Sequence, residues 1–440
     1  MAGQDTSNFS EMMKIRYAKA LQETIQRRVV LYAILTKTSE SWTGKHHQTP
    51  VYLRSANSVG ARGELGSLPT AGNDTYEESH ITNKNNYVVI KATNVGEALT
   101  SQGGAWASVK TQAIKNAAKD LTDSLNRQLN GVGKGILAEC ASYTGGATGT
   151  VTIKTYGDGT VIDNDQQAAP DTTKHFKPGM KLAFGRANVA GTADFEPGGG
   201  GDAVADDTCL VNQVLSNTTF SVTGASGAVP AINDVFVIGE GTAQGSHSYG
   251  QEMAGLGELV SDAAVTFQNI STTTFPEWKA QVLSNPAGAG TERQLTEGLM
   301  QEAVDRVYDL SVGDADFMVC HTSTRRAYLN LLKSKGAERF APTKMVGGHS
   351  SLTFNGGTGD TQIFADKDAL HRTMFVLTRA HLKMFEVKPP SWDETGGAVW
   401  KWVSGEDAAT AFMRVYTNLG TDNRKALCRI DDIAVTGIAA

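Results

Sequence analysis

The 440-residue sequence predicts an α+β protein built from more than one compact unit, and three stretches carry that prediction. Residues 104–130 set Trp106, Val109, Ala113, Ala117, Leu121, Leu125 and Leu129 at steps of three or four, which places them on one stripe of a long helix that must be buried. Residues 146–245 turn to short strand-like runs, TVTIKTY, MKLAFGR, TCLVNQVL, TFSVTG and DVFVIGEG, separated by Gly, Asn, Asp and Pro. From residue 291 helical and strand patterns alternate: ERQLTEGLMQEAVDRVYDL, FMVC, STRRAYLNLLKSK, TMFVLT, HLKMFEV, VWKWV and AFMRVYT. A chain of this length exceeds the ~250–300 residues at which a single core stops growing.

The amino-terminal part, residues 10–36, reads as an amphipathic helix. Ser10 is a possible cap, Ile15, Ala18, Leu21, Ile25 and Val29 lie near helical spacing, and Lys14, Arg16, Lys19, Arg27 and Arg28 make a basic face. No apolar run of signal-peptide or membrane-spanning length is present there, so no membrane is expected among the partners. Next, the strand-like runs PVYLRS and NNYVVIKATNV bracket about thirty residues rich in Gly, Ser, Asn, Thr and Glu. So long a hairpin has too few apolar groups to make its own core, which leaves a mobile loop or an arm pressed onto another molecule.

The helix over 104–130 ends at Asn130 and Gly131, residues that tolerate the positive φ of a helix stop. The β segment suggests a small barrel or sandwich. Residues 150–262 hold five basic and fourteen acidic side chains, a net −9 that exceeds the −6 of the whole chain. Such a segment repels nucleic acid and faces solvent or a basic partner. The closing run KALCRIDDIAVTG reads as a strand returning to an earlier sheet.

No set of side chains points to catalysis, a metal or a cofactor. Cys320 and His321 are chain neighbours on a strand and so point to opposite faces. His46 and His47 have no acidic or thiol ligand beside them. NGVGKGIL lacks the Ser or Thr that follows Lys in a phosphate loop. Cys140, Cys209, Cys320 and Cys428 form no CxxC pair, and reduced thiols are expected. No zinc spacing or base-reading helix is present, and Trp392, Trp400 and Trp402 suit a core or an interface.

The order of basic helix, long hairpin, single long helix, β insertion and α+β region resembles the major capsid proteins of tailed phages, with their Hong Kong 97-type fold. GARGELGSLPTAGNDTYEE, DSLNRQLNGVGKGILA, GQEMAGLGELV, DFMVCHTSTRRAYLNLL and GGHSSLTFNGG are similar to stretches of that family. The resemblance implies an amino-terminal arm and helix over 1–49 and an extended E-loop over 50–103. It implies a peripheral domain with the spine helix over 104–145, an inserted β-rich domain over 146–241, and a peripheral continuation over 242–290. An axial domain over 291–420 and a closing strand over 421–440 complete the expected order.

It further implies a non-enzymatic subunit that self-assembles as pentamers and hexamers into an icosahedral shell around double-stranded DNA, in a host bacterial cytoplasm. A separate scaffolding protein, a portal and a decoration protein are the implied partners, with non-specific contact to packaged DNA through the basic helix. Val59, Arg62, Leu65, Leu68 and Tyr76 are the expected intersubunit contacts. Because residues 55–83 contain no lysine, side-chain isopeptide cross-linking at the arm tip is not expected. A cellular nanocompartment shell of the same fold is the competing reading, and an enzyme with a β-rich accessory domain the distant one.

Overall fold

The computed structural model describes residues 30–38, 44–56, 58–101, 109–146, 148–155, 172–187, 195–197, 208–224, 230–232, 234–239, 247–287, 291–311, 313–334, 343–344, 350–356, 359–394 and 398–435. Most of the expected amino-terminal helix lies outside these residues; Leu31–Ile34 is helical and Thr36–Thr38 is a strand. The chain divides into two compact units. Among the described residues the smaller takes in 87–101, 109–121, 390–394 and 398–414, and the larger takes in the rest.

In the smaller unit, Asn94, at the start of helix Asn94–Ser101, donates its side-chain amide to Asp407 Oδ1 at 2.8 Å. Asp393, almost wholly buried, receives Lys401 and Arg414. Both cations also lie over the Phe412 ring, at 5.0 and 5.9 Å. The burial of one carboxylate is thus offset by two cations.

In the larger unit, the long helix Val109–Asn130 contributes its second half. Its apolar stripe packs as its spacing requires: Ala117, Leu121, Leu125 and Leu129 are buried. Ala113 is partly buried, and Trp106 lies outside the described residues. Polar Asn126, on the same part of the helix, is buried because its amide donates to Asp366 Oδ1 at 2.9 Å and Asp368 Oδ2 at 2.8 Å. Asp366 Oδ2 in turn accepts from the Leu31 amide at 3.0 Å.

After the helix the chain enters a closed barrel. Going round it, Ile136–Gly145, Thr148–Ile153, Thr219–Gly224, Thr208–Val214, Lys181–Ala187 and Asp234–Ile238 pair in turn, and the last pairs back to the first. Closure leaves none of these strands with an open edge. Phe176, Phe184, Phe220 and Phe236 fill the centre, with Phe176 stacked on Phe220 at 4.3 Å. Phe195–Pro197 pairs with residues 185–187 and Thr208–Val214 with residues 181–183. These two strands therefore share one position in the wall, interrupted by residues 198–207. Entry and exit meet at a stalk, where the Gly250 amide donates to Lys134 O at 3.1 Å. Gly135 sits there at φ +78, and a Cβ on it would come within 2.7 Å of Ser248 O.

The barrel begins at Ile136, ten residues before the β segment read from the sequence. ILAECASYTG follows the helix stop directly, and no turn residue separates the two signals.

A second sheet runs in the order Gln281–Leu283, Leu427–Ile430, Met374–Leu377, Phe317–Cys320, Asp360–Ala365, Ser350–Asn355 and Thr343–Lys344. Helix Glu297–Leu310 starts where Thr296 Oγ1 accepts the Leu299 amide at 3.2 Å. Its Met300, Ala303, Val304 and Val307 recur at helical spacing and bury against this sheet with Tyr328 of helix Thr322–Ser334. The run KALCRIDDIAVTG supplies a central strand here, between Gln281–Leu283 and Met374–Leu377.

The long strands Leu382–Trp392 and Ala408–Thr421 lie in a different sheet, with Thr36–Thr38, Lys401–Trp402 and Lys84–Thr93. The α+β region read as 291–420 is therefore built from 281–377 and 427–430. Consecutive strand patterns gave the sequence no mark of the change of sheet.

Candidate assembly interface

The hairpin arm pairs His46–Arg54 with Thr75–Thr82, in the register His46↔Thr82 and Tyr52↔Tyr76. The return strand is therefore TYEESHIT, and not NNYVVIKATNV, which instead pairs with Ala408–Thr421. TYEESHIT carries only two buried side chains, Ser79 and Ile81, so its polar residues disguised it as part of the tip. The segment without strand is residues 55–74, about twenty residues instead of thirty.

Strand alternation gives the arm two unlike faces. Inward, Val51 packs with Ile270 and Trp278, and the Trp278 indole donates to Phe267 O at 3.2 Å. The His80 amide donates to Gln268 O at 2.9 Å, and Asn418 donates to Thr82 O at 2.7 Å. At the tip end Arg54 clasps Glu277 through Nε at 2.6 Å and Nη2 at 3.1 Å, and this guanidinium holds the Glu277 carboxyl below the usual range. The root of the arm is thus fixed to its own subunit.

Beyond Arg54, the tip's hydrogen bonds among the described residues are to itself. Asp74 Oδ1 accepts the Ala56 amide at 2.6 Å, and Arg62 Nε donates to Ser67 O at 3.0 Å. Val59 is 93% exposed, Leu65 100% and Leu68 86%. Tyr76 is 62% exposed and lies against Tyr52, with ring centroids 5.1 Å apart. Sequence reading missed Tyr52, although its register opposite Tyr76 follows once TYEESHIT is recognised as a strand. A fixed root with three fully presented apolar side chains is unusual for a surface loop and usual for a binding element.

The two lysines of the following strand, Lys84–Thr93, are already engaged. Lys84 donates to Gly250 O at 2.6 Å, and burial lowers its pKa against the pull of Glu258. Lys91 pairs with Glu406. Particles of this protein are therefore expected to run as single chains after boiling in detergent. A ladder of covalent multimers would show that one of these amines reaches a neighbour's amide.

The residues weighed for chemistry are placed as follows. Cys320 is fully buried, its thiol donating to Phe364 O at 3.6 Å, and burial pushes it up to about 12. A thiolate nucleophile is not populated there near neutral pH. His321 turns to Ser323 Oγ at 2.8 Å and to the His371 ring at 4.0 Å. His46 stacks on His80 at 4.2 Å while His47 meets Phe385 at 4.8 Å, on the other face of the arm. Among the described residues no three His, Cys, Asp or Glu side chains are grouped to hold a metal, and no helix is long and apolar enough to cross a membrane.

Along its length the chain is similar to a subunit of the cyanophage A-1(L) capsid asymmetric unit, with a TM-score of 0.58 and 11% identity over 98% of this chain and 99% of that one. An encapsulin of Synechococcus elongatus, in the holo-SrpI complex, gives 0.48 at 10% identity over 100% and 99%. A Mycobacterium phage Bobi chain gives 0.46 at 8% over 98% and 99%. No curated protein matches the sequence. The fold is that of a phage capsid subunit. Residues 231–434 match the family model of the SU10 major capsid protein.

Proposed function

We propose that this chain is a major capsid protein of a tailed phage, assembling as pentamers and hexamers into an icosahedral shell around packaged double-stranded DNA, inside a host bacterial cytoplasm. A separate scaffolding protein, a portal and a decoration protein are its partners in this reading. The observation that carries it is the arm: a rooted hairpin whose Val59, Leu65 and Leu68 are all 86% or more exposed. The hairpin then acts as the E-loop, with Val59, Arg62, Leu65, Leu68 and Tyr76 at the contact. Helix Val109–Asn130 acts as the spine, and the seven-stranded α+β sheet forms the domain around the five- and six-fold axes. Electron microscopy of the expressed chain tests this: closed polyhedra of phage size are expected. Small compartments would move the chain to the nanocompartment reading, and discrete oligomers would sink both.

The barrel faces outward in this reading. Its chain enters at Ile136 and leaves at Ile238 at one end, while Gly145, Thr148, Ala187 and Gly224 stand at the other. The net −9 over residues 150–262 would be repelled by packaged phosphates. A Thr148→Cys variant, at an exposed position on that far end, is expected to react with an impermeant maleimide on intact particles, against four native thiols that are all buried. Protection that ends only when the shell is broken would place the barrel inside.

A further inference from the structure

We propose that the acidic stripe on helix Glu297–Leu310 of one subunit docks on the basic stripe on helix Thr322–Ser334 of the next copy, a contact repeated head to tail around each ring. The inference rests on the shell reading and deepens it by naming the side chains that join neighbours within a pentamer or hexamer.

The two helices pack on one sheet and divide their charges by sign. Helix Glu297–Leu310 carries four carboxylates against one guanidinium, a net −3, while helix Thr322–Ser334 carries Arg325, Arg326 and Lys333 and no acid, a net +3. Each buries its apolar side against the sheet, so helical spacing sets what remains outside. Steps of three and four residues place Glu302, Asp305 and Asp309 along the exposed side of the first helix. The same steps place Arg326, Asn330 and Lys333 along the exposed side of the second.

The first helix lies over Leu427–Ile430 and Gln281–Leu283 at one edge of the sheet, and the second over Asp360–Ala365, nearer the other edge. The stripes therefore occupy different places on one subunit, and a contact between unlike surfaces repeats until a ring closes. Contact between like stripes would instead set carboxylates or cations against their own kind. The spacings also match: Glu302 and Asp309 are seven residues apart, as are Arg326 and Lys333, and seven residues rise ~10.5 Å along a helix. Laid side by side, the stripes bring both acids opposite both bases, with Asp305 within one residue of Asn330 in either helix direction.

Glu302 reaches Arg306 one turn on at 2.9 Å, and an exposed pair of this kind is weak enough to be exchanged. Charge alone would make a weak joint. Tyr308 and Leu310, 58% and 48% exposed, stand at the end of the acidic stripe, and covering them supplies the apolar centre that a stable contact needs.

The experiment begins with the full-length parent, whose particles in the electron microscope test the shell reading by itself. A parent without particles would remove both readings. The E302K/D309K and R326E/K333E pairs each set like charges face to face and are expected to lower particle yield by ~10-fold or more, whereas the four substitutions together are expected to restore it. Parental yield from either pair, or no recovery in the folded quadruple variant, would overturn the proposal and leave the shell reading intact. If circular dichroism shows that a reversed pair does not fold, a cysteine pair at the two stripe centres decides. Asp305→Cys/Asn330→Cys adds two exposed thiols to four buried ones, and mild oxidation of its particles is expected to give ladders ending at five and six linked chains. Chains that run singly after oxidation would overturn the contact.

Discussion

Replacing Ser55–Asp74 by a two-residue Asn-Gly turn is expected to leave a soluble, folded subunit and to abolish closed shells. The segment contributes almost nothing to its own subunit: Val59, Leu65 and Leu68 are 86% or more exposed, and its hydrogen bonds are mostly internal. Ordering twenty such residues costs roughly 1–2 kcal/mol each in backbone entropy. In the free subunit nothing offsets that cost. On a neighbour, burying three large apolar side chains contributes ~1.5–3 kcal/mol apiece, and strand-to-strand pairing adds to it. The junction should tolerate the turn, because Arg54 and Thr75 are already cross-strand partners and an Asn-Gly turn matches the twist of such a pair. Circular dichroism would report the fold and sedimentation velocity the assembly. Normal shells from the shortened chain would reduce the tip to a surface loop. A longer excision through Lys84 would also remove Ser79 and Ile81, which are buried, and is expected to unfold the root.

The difference between those two excisions measures how far the sequence could be read. Where an element buries a continuous apolar stripe, as in Ala117, Leu121, Leu125 and Leu129, periodicity alone located it. The barrel strands were legible for the same reason, with Gly and Asn turns between them. TYEESHIT was not legible, because a ribbon that packs one face on its subunit and offers the other to solvent or a partner needs only a pair of buried side chains. Nor did the sequence reveal that Leu382–Trp392 and Ala408–Thr421 leave the sheet their predecessors belong to. Pairing partners are a property of topology, and adjacent strand patterns look alike whichever sheet they join. The apolar tip residues were legible as candidates through a mismatch, hydrophobic side chains in a segment that could not bury them. Their facing partner Tyr52 became visible only with the register.

Arg424 was silent in the sequence and is expected to be among the costliest side chains to lose. It is 1% exposed and lies in the short turn Arg424–Ala426. Its Nε donates to Leu259 O at 2.9 Å, and its Nη2 donates to Glu258 O at 3.1 Å and Ser261 O at 2.9 Å. These carbonyls close the helix Leu256–Leu259, whose last turn has few intrahelical donors of its own. The guanidinium also sits 4.4 Å above the Phe267 ring, next to the Trp278 that anchors the arm. Arg424→Met preserves the length and apolar stem but removes the guanidinium donor from Glu258 O and Leu259 O, each worth ~1–3 kcal/mol when unsatisfied, while Ser261 O keeps the Ala280 amide. A loss of about 3 kcal/mol or more follows, offset in part because a buried cation no longer has to be desolvated. Arg424→Lys keeps the charge, yet a single ammonium lacks the planar fork that reaches three carbonyls at once, so an intermediate loss is expected. The measurement is urea unfolding of the arm-shortened subunit, where assembly cannot add to the apparent stability. A change under about 1 kcal/mol for Arg424→Met would mean that water or a shifted backbone satisfies those carbonyls, and that the helix end and the arm's root do not depend on this side chain.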